Sequence, residues 1–443
     1  MQTLEVGARG GKRRGLQSLV IAVSFLTLPL PSEGAKINRY TSMSGDFSRL
    51  PHRFTTTDLD GTYFHPAGLV FGREGLGLEL ALQTTYNDFL LAADGLESVE
   101  RALTWPIPSF SAAYHRDRWA IGLHVGAVGG GGVKATGRHA IFEANRSFVV
   151  DAASAALPLF TDVALSESLL DAYSLYTGLY SSLTFRVSDQ LSIAIGGKVI
   201  DYRGALTLRS DFDLLTAGPG GLFGNHLDLQ ARQSGIGFGW LVDLHLAPAE
   251  GLAVGLRYEG KSSIETRTAL DEQSLVNKDG EGALFQSIEL LEDGARGQSD
   301  IPAMASLGVE YQLTSSLKVL SSFAYYFNRD AAFGPFLGFD ITGKVEDDWE
   351  AGAGFEWQLN KDQLLSMGHL YFNSGHNDES RTLNRYTLDG HFIGFGGRQQ
   401  LTDRWDLSLS LFLMLWNETE APLDGSRADQ ESYVFGMESS FWF

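Results

Sequence analysis

The 443-residue sequence predicts an all-β fold: a transmembrane antiparallel β-barrel with an N-terminal segment plugging its lumen. Three observations carry this expectation. Apolar residues alternate with small or polar ones along many segments. Short polar turns recur between pairs of these segments, separated by much longer stretches. The chain closes on an alternating run that ends in Phe443.

The alternation is clearest in "WDLSLSLFLML". Trp405, Leu407, Leu409, Leu411, Leu413 and Leu415 hold the odd positions, and Asp406, Ser408, Ser410, Phe412 and Met414 the even ones. Period two places each set on its own face of a strand. Leu76, Leu78, Leu80 and Leu82 likewise oppose Gly75, Gly77, Glu79 and Ala81, and Trp119, Ile121, Leu123 and Val125 oppose Ala120, Gly122, His124 and Gly126. The same pattern holds from Leu252 to Glu259 and from Trp349 to Trp357. An apolar face of about nine to eleven residues, often opened by Trp or Tyr, is what a lipid-facing barrel strand presents.

Six short turns fall at 115–119, 187–191, 247–252, 313–317, 359–364 and 401–405. They join twelve strands. A first strand near 74–86 and a last near 431–443 bring the expected number to about fourteen, an even count that leaves both ends on the short-turn, periplasmic side. The final "YVFGMESSFWF" reads as a signal for outer-membrane barrel assembly machinery. Pairing it with the first strand closes the barrel and removes an exposed edge.

At the N-terminus, Lys12, Arg13 and Arg14 precede an apolar stretch, Pro31 and Ser32-Glu33-Gly34, the arrangement of a cleaved secretory leader. The expected organisation is therefore leader 1–34, plug 35–72 and barrel 73–443, in a bacterial outer membrane. After Gly34 no apolar run is long enough for a spanning helix. With 34 Lys+Arg against 54 Asp+Glu, the net charge of -20 argues against nucleic acid as a partner. There is no Cys, so disulfides and thiol chemistry are excluded, and the 10 His are scattered, so no metal site or cofactor is expected.

The stretch "LHVGAVGGGGVKATG" resembles a phosphate loop only superficially. Val133 separates Gly132 from Lys134, Ala135 stands where a hydroxyl is needed, and no strand-helix alternation surrounds it. Two readings of Gly126, Gly129, Gly130, Gly131 and Gly132 stay open: a side-chain-free distortion that opens the wall, or the start of an external loop.

"DGTYFHPAGLVFGREGLGLEL", at 60–80, resembles the plug-to-barrel passage of the FadL-type long-chain fatty acid transporters, which carries Asn-Pro-Ala-Gly before a strand. Pro66, Ala67 and Gly68 match, and His65 replaces the Asn. "SDIPAMASLGVEYQLTSSLKV", at 299–319, is similar to the family's Pro-Ala strand and short turn. The resemblance implies a hatch-closed barrel that admits long-chain fatty acids or similar hydrophobic molecules and releases them sideways into membrane lipid beside a kinked third strand. The glycine run falls in or just beyond that strand.

For the substrate, apolar clusters in the stretch 134–170, with Phe148, Val149, Leu157, Leu159 and Phe160, suggest short helices around a capture groove. Phe47, Leu50 and Phe54 are candidate plug contacts. Parity turns Lys198 and Arg257 into the lumen, where a carboxylate would need a cation. Arg203 resembles a family Arg at the top of the fifth strand, although strict parity points it outward. Two alternatives are a general porin or adhesin, and a lipid-modifying enzyme using His124 or His369. For the enzyme, no G-x-S-x-G elbow is present.

Overall fold

The computed structural model describes residues 44–143, 160–216, 222–277, 291–334, 345–375, 388–421 and 425–443. The leader, the start of the plug segment and Phe148, Val149, Leu157 and Leu159 lie outside them. In chain order the strands are β1 (Gly75–Ala93), β2 (Leu96–Leu103), β3 (Ile107–Arg116), β4 (Trp119–Thr136), β5 (Phe160–Ser188), β6 (Leu191–Thr216) and β7 (Leu222–Ala249). Next come β8 (Leu252–Glu259), β9 (Ser263–Asn277), β10 (Arg296–Ser299), β11 (Ala303–Gln312), β12 (Leu317–Phe327) and β13 (Phe333–Gly334). The chain finishes with β14 (Asp348–Asn360), β15 (Gln363–Asn373), β16 (Gly390–Thr402), β17 (Trp405–Trp416), β18 (Thr419–Ala421) and β19 (Ser426–Trp442).

The ladders are antiparallel, and β1 pairs with β19 from Gly77–Trp442 to Ala92–Arg427, which closes the wall. β2 and β3 lie in line along β1, as β8 and β9 do along β7, and β10 continues into β11. With β13 and β18 as short extensions, the described segments make a closed barrel of 14 strands. All six expected tight turns join neighbouring strands. At the first, Asp117 takes a left-handed φ of 55°, a conformation Asp tolerates better than most residues.

Facing follows the period-two reading. Leu80, Ile195, Phe238, Leu409 and Phe435 point outward, and Phe238 is 70% exposed. Such a belt is unfavourable against water and favourable against hydrocarbon. Aromatic pairs mark its rims: Trp119 with Phe185 and Trp405 with Phe441 at the short-turn end, Trp240 with Tyr258 and Trp349 with Tyr371 at the other.

Beyond the belt the pattern inverts. β5, β6 and β7 run for 29, 26 and 28 residues, well over the nine to eleven a bilayer needs. In their upper parts Leu170, Leu206, Leu208, Leu227 and Leu229 are buried inward, while Arg203, Arg209 and Arg232 face out. The expectation of short helices in 134–170 holds at Ala140–Glu143, which forms one turn of helix, and is corrected at 134–136 and 160–170, which are strand; residues 144–159 lie outside the described residues. β4 continues to Thr136, Phe160 opens β5, and "VALSESLLDAY" is strand paired to β6. Outside the membrane the outer face meets water, so the apolar residues turn inward.

Residues 44–72 sit inside the barrel. Ser44 caps helix α1 (Gly45–Arg49), its hydroxyl accepting the Phe47 N–H at 2.8 Å. Helix α2 (Gly61–Phe64) leads into a 3₁₀ turn, Pro66–Phe71, whose first residue needs no N–H partner. Many inward glycines of the wall are seats for this segment. A Cβ at Gly255 would stand 1.7 Å from the Phe54 carbonyl oxygen, one at Gly394 2.6 Å from that of Ser48, and one at Gly354 2.5 Å from the Leu50 side chain. Gly255→Val is therefore expected to unseat the plug with the wall intact, read as new protease cleavage within residues 44–72 of otherwise folded barrel.

Candidate functional site

The floor of the lumen is a bolted plug. His65 Nδ1 lies 2.9 Å from Asp243 of β7, its Nε2 lies 2.9 Å from His245 Nδ1, and the Ala67 N–H donates to Asp243 at 2.9 Å. Thr184 of β5 donates to the Pro66 carbonyl and Ser192 of β6 to that of Ala67. Gly68 leaves no room for a side chain, since a Cβ would stand 2.0 Å from the Thr56 carbonyl oxygen. Each residue of His65-Pro66-Ala67-Gly68 thus has a mechanical part. His65 fills the Asn position with hydrogen bonds of its own.

Across the lumen, three arginines interlock with plug acids. Arg49 pairs with Asp46 and Glu356, both at 2.7 Å. Arg53 pairs with Asp58 and Asp60, and Arg398 of β16 with Asp46 and Asp58. The close group Asp46, Asp58 and Asp60 is thereby neutralised by guanidinium groups. His52 bonds Ser322 at 2.6 Å, and burial lowers its pKa from 6.5 to about 4. In the released plug His52 would take a proton between these values while the seated one stays neutral. The contribution of His52 to seating is therefore full above pH 6.5, falls as pH drops toward 4 by up to about 3 kcal/mol, and is constant below that. Protease access to the plug measured against pH checks this.

Above the plug the lumen is apolar and aromatic. Phe47 stacks on Phe64 at 5.0 Å, Tyr63 meets Tyr180 at 5.0 Å, and Tyr176 meets Tyr202 at 4.7 Å. Phe372, Phe392, Phe412 and Val128 belong to the same cluster. Of the candidate plug contacts, Phe47 joins this lining. Leu50 docks on the wall glycines, and Phe54 packs with Met304, Ala324 and Tyr326.

Lys198 and Arg257 both turn inward and converge on Glu259. Lys198 Nζ lies 2.5 Å from its carboxylate, Arg257 bonds it and the Tyr63 carbonyl, and the Tyr180 hydroxyl lies 3.5 Å away. Two cations share one carboxylate, and the buried Arg257 Nε has no hydrogen-bond partner among the described residues. Lys198 reaches Glu259 by passing over β7 at Gly239, where a Cβ would stand 2.3 Å from Lys198 Cε. Gly239→Val is expected to break that crossing and part Lys198 from Glu259, read as a lowered melting temperature of detergent-solubilised protein. Arg203 does not join them: it faces outward, 71% exposed and paired with Asp201, as parity requires. Its assignment to the substrate site is withdrawn.

The wall is interrupted beside this cluster. β3 follows β4 from Arg116–Trp119 up to Ser109–Gly126, where its pairing ends near Pro106. Above that, β4 pairs with β5 alone through Thr136, and among the described residues no ladder joins β2 to β4. Val128 is an extra residue between Ala127 and Gly129 and interrupts the register there. Gly130 has a φ of +131°, which a side chain rarely allows, and a Cβ there would lie 2.3 Å from the Ser174 carbonyl oxygen. Gly126, Gly129, Gly130, Gly131 and Gly132 all lie within the strand, against the loop-start reading.

They do not share one role, however, and the expectation that the whole run forms the opening is corrected at its upper end. Gly126, Gly129 and Gly130 are buried beside the irregularity, whereas Gly131 is exposed and regularly paired with Ser174. A Cβ on Gly131 would meet nothing within 4 Å, so neither space nor backbone conformation demands a glycine there, and Gly131 is withdrawn from the opening. Gly132 is also exposed, and its requirement is a close approach to β5, with a Cβ 2.9 Å from the Ala172 carbonyl oxygen. Past the strand, the Ala140 N–H bonds Ser98 of β2 at 2.9 Å, and Ile141 and Phe142 are buried.

Sequence reasoning missed Glu259, Gly239, Asp243 and the wall tyrosines Tyr176, Tyr180 and Tyr202. Inward parity marks each of them, but only strand register brings them together.

No protein-family model matches the sequence, and no curated protein matches it. Solved structures share the architecture. A Pseudomonas aeruginosa FadL homologue superposes with a TM-score of 0.63 at 16% identity, over 94% of this chain and 99% of the other. The P. putida toluene transporter TodX gives 0.59 at 15%, over 94% and 99%. The Ralstonia pickettii toluene transporter TbuX gives 0.53 at 14%, over 87% and 94%. At these identities the likeness establishes the shared fold.

Proposed function

We propose that the chain is an outer-membrane channel of the FadL type, passing long-chain fatty acids or similar hydrophobic molecules passively from outside the cell into the bilayer. One observation carries the reading: an aromatic lumen, closed below by the plug, meets the interruption between β3 and β4 at the height of Gly126 to Gly130. A molecule that partitions into the lumen has its direct way blocked and a lateral way beside it. Backbone left unpaired in hydrocarbon is costly, so such an interruption persists where it borders a protein-lined cavity. The inverted upper strands, apolar inside, suit capture of the same molecules from water.

The excess positive charge of Lys198, Arg257 and Glu259 favours a carboxylate head group. The aromatic lining alone favours a second reading, a neutral aromatic hydrocarbon, the cargo for which two structural neighbours are named. Lys198→Met separates the two. Affinity for a fatty acid is expected to fall at least about tenfold while that for toluene is unchanged. Equal loss for both, or for neither, contradicts the head-group role. The channel reading itself is tested by fatty-acid and toluene entry into liposomes carrying the protein, and entry no faster than in empty vesicles overturns it.

A further inference from the structure

His369 breaks the lipid-facing pattern of its strand. The outward positions of β15 below it are Leu365 and Met367, and on β16 the outward neighbours are Ile393 and Phe395, yet the two exposed imidazoles of His369 and His391 meet on this face. Polar groups on the outer face of a barrel are unfavourable at depth and become tolerable at the interface. These two lie at that level. The His391 ring is 5.1 Å from Tyr371, which is 5.5 Å from Trp349 in the rim of aromatic residues. The rings stack at 5.2 Å, with His369 Nε2 3.0 Å from His391 Nδ1. Two imidazole nitrogens this close cannot both present lone pairs to each other, so one carries a proton that the other accepts.

We propose that His369 and His391 form a two-imidazole site for a divalent transition-metal ion, held on the outside of the barrel at its loop-side rim. Metal–imidazole bonds are about 2.0–2.1 Å long, so two donors at right angles around one ion stand about 3 Å apart. The observed separation already has that value. The ring that carries the shared proton passes it through solvent to its other nitrogen, and a small rotation of both rings about Cβ–Cγ then turns two lone pairs onto one point for the ion. The remaining positions of the ion open toward the interface, where water or a lipid phosphate completes the shell. Imidazole donors suit Cu²⁺, Ni²⁺ and Zn²⁺, with Cu²⁺ held most tightly. The hairpin joining β15 to β16 unites residues 22 positions apart, a spacing no metal motif of the sequence would signal. The site lies apart from the lumen and stands whether or not the transport reading holds.

Full-length protein in detergent is titrated with Cu²⁺, followed by quenching of aromatic fluorescence and by electron paramagnetic resonance of the frozen complex. The expected result is one ion with two nitrogen donors, and affinity at least about tenfold weaker in His369→Leu and in His391→Gln. His226→Ala, at a separate half-buried histidine bonded to Asp211, is expected to bind as the parent does. Since Leu restores the pattern at a lipid-facing position, His369→Leu is expected to fold at least as well. Unchanged affinity in both variants, a spectrum with fewer than two nitrogens, or equal loss in His226→Ala overturns the site.

Discussion

Removing residues 44–72 is expected to turn a closed barrel into an open pore. The plug spans the lumen from the His65–Asp243 bolt on β7 to the Arg398 pairs on β16, so nothing else described blocks that cross-section. The wall does not depend on the plug for closure. The β1–β19 ladder is continuous from Gly77 to Ala92, and the tight turns hold each hairpin. Groups left behind, including Glu356, Arg398 and Asp243, would gain water in place of their partners, so their hydration offsets the lost pairs. Single-channel recording in planar bilayers is the measurement. A steady conductance in the deletion protein and none in the parent is expected, and identical traces would contradict the plug assignment. Asp46→Ala is a milder form. It leaves Arg49, Arg53 and Arg398 short of a shared acid in a buried place, a loss on the order of 3–5 kcal/mol, and is expected to give flickering openings.

The second large effect is expected from deleting a single residue, Val128. Below the irregularity Ala127 opposes Thr177, and above it Gly129 opposes Tyr176, so Val128 is the one residue of β4 without a counterpart on β5. Its loss lets both halves keep their present partners in an unbroken ladder, with no side chain forced to the other face. A straightened β4 is free to continue its pairing past Gly126 and shut the lateral way proposed above. Hydrophobic uptake is expected to fall at least about tenfold, with heat-modifiable migration on gels showing that the barrel still forms. Uptake equal to the parent's would mean that molecules leave by another route. Val128→Ala, which keeps the extra residue, is expected to retain uptake.

Much of this is legible in the sequence, and for a physical reason. Within the bilayer the outer solvent is hydrocarbon, so alternation with apolar residues outward is imposed on strand after strand, and the tight turns punctuate it. The same rule failed above the bilayer. In "VALSESLLDAY" the buried set is Ser168, Leu170 and Ala172, a mixture too mild to read as one face of a strand. Arg203 shows the cost of following a resemblance against parity. The partnerships that build the site were beyond reach for a different reason. Glu259 with Lys198 and His65 with Asp243 are separated by 61 and 178 residues, and their meeting depends on register and on where the plug sits. The glycines of β4 could be placed near a distortion from sequence, but not told apart: Gly130 needs its missing side chain and Gly131 does not. The end of the β3 ladder at Ser109 is likewise a property of two strands together.

The glycines that face the plug make the inner wall a mould and the hatch its casting. Gly255, Gly354 and Gly394 are hollows shaped to particular backbone carbonyls and to one leucine, so the hatch has one resting pose and little freedom to slide sideways from it. Any excursion must begin by withdrawing those groups from their hollows toward the middle of the lumen. A hatch grafted from another barrel would not sit down in this one until those hollows were recut, so the two parts can change only in step.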